Sequence, residues 1–207
     1  KLIRAKRRLI ALLNEQKQSI IHRAVTRGLD PAAKLKPSGV DWLGDVPEHW
    51  EVKRLKWIAR NISEQANRCD DDDIYVALED VESWSGRLLR VGPASVEGVI
   101  LRRFERDDVL FGKLRPYLAK VVRPDRNGVC VGELLVLRAD RAEVHPSFLE
   151  TRLRAPDFIT HVNSSTFGAK MPRADWSFIG GTAIAYPPTL SEQIQIVDAI
   201  AEETSGL

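Results

Sequence analysis

Leu13-Asn14-Glu15-Gln16-Lys17-Gln18-Ser19-Ile20, near the start of the 207-residue chain, returns near its end as Leu190-Ser191-Glu192-Gln193-Ile194-Gln195-Ile196-Val197. Both stretches follow the pattern L-x-E-Q-x-Q-x-I/V, and the second Glu lies 177 residues beyond the first. Self-similarity at a fixed period is the sequence signature of a repeated structural unit. A helix recurring on either side of one domain implies a unit of helix plus domain, of which the chain holds a little over one period. The expected fold class is therefore α+β: a globular mixed-sheet domain carrying a long, coiled-coil-like helical arm.

Working outward from the first copy, residues 1–28 read as one long helix. They contain no Pro, and their only Gly is Gly28, a good C-terminal stop before Pro31. Leu2, Leu9, Leu13 and Ile20 form an apolar stripe near heptad spacing, which suits packing against another helix. Residues 29–50 are a connector punctuated by Pro and Gly, yet Trp42 and Trp50 are too apolar for a free linker and should dock on a surface. The domain follows over 51–186. Strands are expected at 74–78, 88–91, 108–111, 119–122, 129–131 and 133–137, and helices at 52–59, 147–153 and 157–163. Residues 187–207 open the second conserved helix, which Pro187-Pro188 precede and Leu207 cuts short. A chain that lacks an initiator Met and opens in mid-helix reads as a fragment of something longer.

Composition narrows the function classes. An apolar content of 43% with five Trp and six Phe supports a real core. The net charge is only +2, but Lys1–Arg60 carries fourteen Lys/Arg against six Asp/Glu. Such asymmetry implies a basic arm joined to a domain with local charge patches. Cys69 and Cys130 stand far apart with no His at ligand spacing, so neither a zinc site nor a disulfide framework is expected. No secretory signal or membrane-length apolar run is present, and the expected location is cytoplasmic. No P-loop, glycine-rich cofactor loop or HExxH pattern occurs. Asp125 and Glu133 resemble a nuclease hairpin superficially, but Leu135 stands where its Lys would be expected. The acidic run 70–73 reads as solvent-facing rather than as a metal site. No catalytic residue and no metal site is expected.

Glu15-Gln16-Lys17-Gln18-Ser19-Ile20-Ile21 followed by Arg27-Gly28-Leu29-Asp30-Pro31 resembles the central region of type I restriction-modification specificity subunits. The phrase from Lys36-Pro37-Ser38-Gly39 through Trp42-Leu43-Gly44-Asp45-Val46-Pro47-Glu48-His49-Trp50 is similar to the approach to one of their target recognition domains. Gly112-Lys113-Leu114-Arg115-Pro116-Tyr117, Thr166-Phe167-Gly168-Ala169-Lys170-Met171-Pro172 and Pro187-Pro188-Thr189-Leu190-Ser191-Glu192-Gln193 look like later landmarks of such a domain. The resemblance implies a non-catalytic subunit that reads one half of an interrupted duplex DNA target. It would direct methyltransferase and restriction subunits there, with helices acting as ruler and dock. S-adenosylmethionine, ATP and Mg²⁺ would sit on those partners and not on this chain. The family pattern has two recognition domains and this chain has one, so a second copy pairing through the helical stripe is a further expectation. The rival readings are a helical assembly module without DNA binding and a nuclease fragment with an unrecognised site.

Lys113, Arg115, Tyr117, Lys120, Arg123 and Arg126 form the first candidate DNA surface, with Asp125 as the single acid among them. Lys and Arg neutralise phosphates, and Arg can also grip guanine with two parallel hydrogen bonds. On residue chemistry alone an ordinary solvated hairpin is the preferred reading; the resemblance implies DNA contact. Replacing Arg115 or Lys120 would then weaken binding without disturbing the fold. The loop 164–173, with Lys170 and Arg173, is the second candidate, equally readable as a plain connection between helix and strand. Trp84 and Arg87, on a turn at 83–87, are the third, with Trp84 better read as capping a core edge. Arg102, Arg103 and Arg106 are read as surface partners of Glu105, Asp107 and Asp108.

Overall fold

The computed structural model describes residues 2–66, 72–90, 101–168 and 170–206. Lys1, Cys69, Asp70, Asp71, Val91, Ala169 and Leu207 lie outside these described residues.

Helix α1 (Leu2–Arg27) runs as its periodicity predicts. Gly28 ends it in the left-handed region at φ +73°, its N–H donating to the Ala24 carbonyl at 3.1 Å. Only the last turns are buried, through Ile21, Ala24, Val25 and Thr26. The connector is a small antiparallel hairpin, β1 (Leu35–Pro37) with β2 (Asp45–Pro47). Trp50 is buried in the main core and Trp42 packs against it.

The helix expected over 52–59 is largely strand. β3 (Glu51–Arg54) leads into one short turn, α2 (Leu55–Ile58), and then into β4 (Ala59–Ile62). Each strand finds a distant partner: β3 pairs with β12 (Ala183–Tyr186), setting Val52 opposite Ala185. Long-range pairing outweighs local helix propensity there. The remaining strands are β5 (Gln65–Ala66), β6 (Ile74–Val76), β7 (Leu101–Phe104), β8 (Val109–Gly112), β9 (Val121–Val122), β10 (Gly128–Val131) and β11 (Leu134–Ala139). Helices α3 (Pro146–Arg154), α4 (Pro156–Ser164), α5 (Trp176–Gly181) and α6 (Leu190–Ser205) complete the described elements. Of the strand expected at 88–91, Leu88 forms only an isolated bridge to Val81.

Besides the pairs β1-β2 and β3-β12, two four-stranded sheets form, one in the order β4-β11-β8-β9 and one in the order β5-β7-β10-β6, with β10 and β6 parallel. Alternation along β8 and β11 sorts their side chains between two cores. Val109, Phe111, Leu135 and Leu137 join the helices and Trp50 on one face. Leu110, Leu134 and Val136 meet Ile74, Val76, Phe104 and Cys130 of the second sheet on the other. The architecture is thus α+β, with helices, sheet and sheet in layers. Burial pushes the Cys130 thiol up to about 12, so it is an inert core group. No helix among the described residues is long and apolar enough to cross a membrane.

The Arg102–Asp108 stretch is paired differently from expectation. Arg102 and Arg103 belong to β7, and Arg103 bonds Asp73 at 2.8 Å. Asp108 takes a two-pronged grip from Arg138 at 2.9 and 2.8 Å, Glu105 meets the same guanidinium at 3.0 Å, and Asp107 holds Arg123 and Arg141. Their partners come from just after β9, from β11 and from the loop beyond it, a distance in sequence that local charge counting does not see.

Two clusters fix α6, on which the end of α1 packs, to the domain. Glu192, whose N–H is capped by Thr189, accepts from the Trp50 indole and meets His49, both at 3.0 Å. Gln193, fully buried, accepts from the His145 N–H at 2.7 Å and donates to the carbonyls of Glu143 and Pro187 at 2.9 and 2.8 Å. The repeated Glu-Gln pair is therefore a clasp in its second copy. Below it, Arg152 is fully buried between α3 and α4, gripping Asp157 with two bonds of 2.9 Å and lying 5.4 Å over the Trp42 ring.

Candidate nucleic-acid interface

The first two candidate segments, which begin 51 residues apart in sequence, meet in one platform. The Arg115 N–H donates to the Pro172 carbonyl at 2.7 Å, and the Ala174 N–H donates to the Lys113 carbonyl at 2.9 Å. Leu114 and Phe167 each bridge to Arg173. Gly112, where β8 ends, is a tight spot: a Cβ there would sit 3.2 Å from the Lys120 carbonyl. The chain can therefore fold straight back on itself, and it carries residues 113–118 outward as a short turn.

Arg115 stands at the start of that turn in the left-handed region, φ +50° and ψ 62°. A non-glycine residue there is strained by roughly 1–2 kcal/mol and persists only where surroundings over-determine it. Pro116 after it and the bond to Pro172 supply that constraint, which aims an exposed guanidinium with no ion-pair partner among the described residues. Around it stand exposed Tyr117, Lys170, Met171 and Phe167, the last 65% accessible. Exposed aromatic and thioether groups among cations give both apolar and charged contacts to a nucleic acid. Lys113 is half-buried at the rim; burial holds its ammonium below the ordinary lysine range against the pull of Glu133. Arg173 donates to Glu133 at 2.8 Å and is partly neutralised. Phe167 and Met171 do not stand out as site residues in the sequence, because the pairing that lifts them beside Arg115 is non-local.

The other candidates lie elsewhere. The Lys120 ammonium donates to the carbonyls of Leu78 and Val81, at 2.7 and 2.8 Å, so it holds an internal loop. A loss of DNA binding at unchanged stability is accordingly not the expected result of changing Lys120. Arg123 is committed to Asp107, with Glu150 at 3.7 Å. Arg126 is exposed beside Asp125 at 3.9 Å. Arg87 closes a two-pronged pair on Glu82, at 3.0 and 2.8 Å, which holds that carboxyl below the usual range. Trp84, at φ +65°, packs on the main core. Trp84, Arg87 and Arg123 line a cleft against Lys17, Gln18 and α6, and so face the arm. Among the described residues no group of three or more His, Cys, Asp or Glu is placed to hold a metal ion.

The chain is similar, in sequence and in overall fold, to type I restriction-modification specificity subunits. In sequence, the chain is 22% identical over 163 residues to the Type I restriction enzyme EcoDI specificity subunit of Escherichia coli, covering 77% of this chain and 36% of that protein. In fold, it matches the HsdS subunit from Thermoanaerobacter tengcongensis with a TM-score of 0.65 at 24% identity, over 77% of this chain and 44% of that one. A chain from a structure addressing complex assembly and conformational transition of the type I R-M system matches with a TM-score of 0.64 at 24% identity, over 76% and 43%. This chain thus spans less than half the length of the proteins it matches. No family model matches it.

Proposed function

We propose that this chain is the DNA-reading part of a type I restriction-modification specificity subunit, a binding component that directs methyltransferase and restriction subunits to a bipartite target. The observation that carries this reading is the platform: two distant loops locked together by backbone hydrogen bonds, presenting Arg115 among exposed aromatic and basic side chains. Arg115 reads a base edge, Lys170 anchors phosphate, and Tyr117, Phe167 and Met171 supply apolar contact. Methyl transfer, ATP use and cleavage belong to the partner subunits, with S-adenosylmethionine, ATP and Mg²⁺ bound there. Methylome sequencing of cells expressing the chain with its methyltransferase subunits tests this. A new interrupted methylated motif, lost without the chain, is the expected outcome; an unchanged methylome ends the reading. Metal-dependent cutting by the purified chain would favour a nuclease instead.

The arm supports a second element, self-association. Helix α6 packs on the last part of α1, where Arg23 reaches Glu203 at 3.8 Å. Leu13 and Ile20 are half-buried there, whereas Leu2 and Leu9, with Ile3 and Ile10, remain exposed, Leu2 by 69%. A second copy packing its own α1 on this stripe would give a two-fold dimer with two identical platforms, suited to a palindromic interrupted site. Sedimentation at micromolar concentration should show a dimer that Leu9→Asp with Leu13→Asp converts to monomer. A monomeric parent protein ends this element while leaving the DNA reading intact.

A further inference from the structure

Away from the platform, the short helix α2 carries a second exposed basic and aromatic cluster. Trp57 is 62% exposed, and the Arg54 guanidinium lies 5.6 Å over its ring. Arg54, Lys56 and Arg60 are all exposed, and among the described residues none of the three has an ion-pair partner. Asp140, which bonds the Ile58 carbonyl through its N–H, spends its carboxylate on the Ala142 N–H at 3.1 Å. The patch is thus an uncompensated positive surface around a large flat apolar ring, and its burial pattern is fixed by structure: Leu55 and Ile58 point into the core, which leaves Lys56 and Trp57 outside.

Its position relative to the platform gives it a use. The Leu55 N–H donates to the Thr182 carbonyl at 2.9 Å, and α2 packs against α5. Helix α5 begins at Trp176, shortly after Arg173 and Ala174 of the platform, and is six residues long. Patch and platform are thus carried by neighbouring elements, joined through α5. We infer that Arg54, Lys56 and Trp57, with Arg60, form a second, sequence-neutral contact that grips the phosphate backbone of duplex DNA beside the reading platform. This rests on the DNA-binding function proposed for the platform. A four-residue helix is too short to enter a groove and read bases, while its cations can neutralise phosphates. Stacking on Trp57 holds Arg54 extended before DNA arrives.

The test uses the chain co-purified with its methyltransferase subunits and two duplexes of equal length, one carrying the motif found by methylome sequencing and one scrambled. In Arg54→Gln with Lys56→Gln, the log–log dependence of binding on salt should flatten by about 1.8, near 0.9 for each phosphate no longer neutralised. Affinity for both duplexes should fall by the same factor, and the thermal midpoint should hold because both side chains are exposed. Trp57→Ala should weaken both duplexes alike, and Trp57→Phe should restore part of the loss. An unchanged salt slope, with Arg115→Ala still erasing the preference for the motif, overturns the second contact and leaves the reading platform standing. Failure of the double variant to assemble with the methyltransferase, at an unchanged slope, would make the patch a protein interface and likewise overturn it. A parent complex that binds neither duplex overturns both proposals.

Discussion

Arg152→Ala is expected to cost about 3–5 kcal/mol of unfolding free energy, the range for breaking a buried ion pair by removing one partner. The Arg152 side chain is wholly buried and Asp157 nearly so, with 14% of its side chain accessible, so the abandoned carboxylate has little water to turn to. The guanidinium also fills the space over Trp42, which in turn stacks on His161 at a centroid distance of 4.5 Å. Truncation therefore empties a volume and removes a charge from the joint where α3 meets α4. Urea unfolding should show a lower midpoint at an unchanged slope. Arg152→Met with Asp157→Leu should recover most of the loss, because an apolar pair of similar volume carries no desolvation cost. A single-variant cost below about 1 kcal/mol would show that Asp157 finds solvent or His22, 3.9 Å away.

Arg115→Ala is expected to lower affinity for the target motif by about 10- to 100-fold, or about 1–3 kcal/mol, the worth of one good base contact. Its stability effect should stay under about 0.5 kcal/mol, since the side chain is exposed and Ala adopts the same backbone conformation no less readily. Discrimination against a duplex changed at one base pair should collapse at the position Arg115 reads. Arg115→Lys should not restore it, because a point charge cannot replace a planar two-pronged donor. Equal weakening on motif and scrambled duplexes, measured by competition at fixed salt, would reassign Arg115 to phosphate.

The elements most legible from sequence are those set by local chemistry. Helix α1 follows from unbroken periodicity and the Gly28 stop, and α3, α4 and α6 from Pro or Thr at their starts. Strands β8, β10 and β11 stand out as buried apolar runs. What escapes is whatever depends on a partner far along the chain. Residues 52–59 read as helix and become largely strand because β12 and, from Ala59 onward, β11 pair with them. Lys120 and Arg123 look like free cations in the sequence, yet the carbonyls and carboxylates that hold them come from residues 78–81, 107 and 150. The platform is visible as two separate loops, and only the backbone hydrogen bonds Arg115–Pro172 and Ala174–Lys113, with the Leu114–Arg173 bridge, make them one. The Arg54–Trp57 patch lies inside a stretch whose spacing reads as helix, where its cations carry no signal of their own. The resemblance to specificity subunits comes from phrases around Gly28, Trp42 and Gln193, residues that the structure uses to join arm and domain.

Gly28 and Pro31 would serve as a hinge in a loosely tethered linker, but here the junction is closed. The Trp50 ring lies 3.5 Å from where a Cβ on Gly28 would sit, its indole is tied to Glu192, and Gln193 binds three backbone groups from two other loops. The end of α1 is therefore held against the domain by packing on Trp50 and α6 and not by the chain connection alone. If two copies held in this way straddle an interrupted target whose halves are slightly out of phase, part of the adjustment would fall on the DNA between them. Smoothly bending a 20–30 bp site through roughly 40–90° costs about 1–6 kcal/mol and depends on which base steps are bent. The unread spacer between the half-sites would then carry sequence preference through its stiffness, without a single side chain touching it.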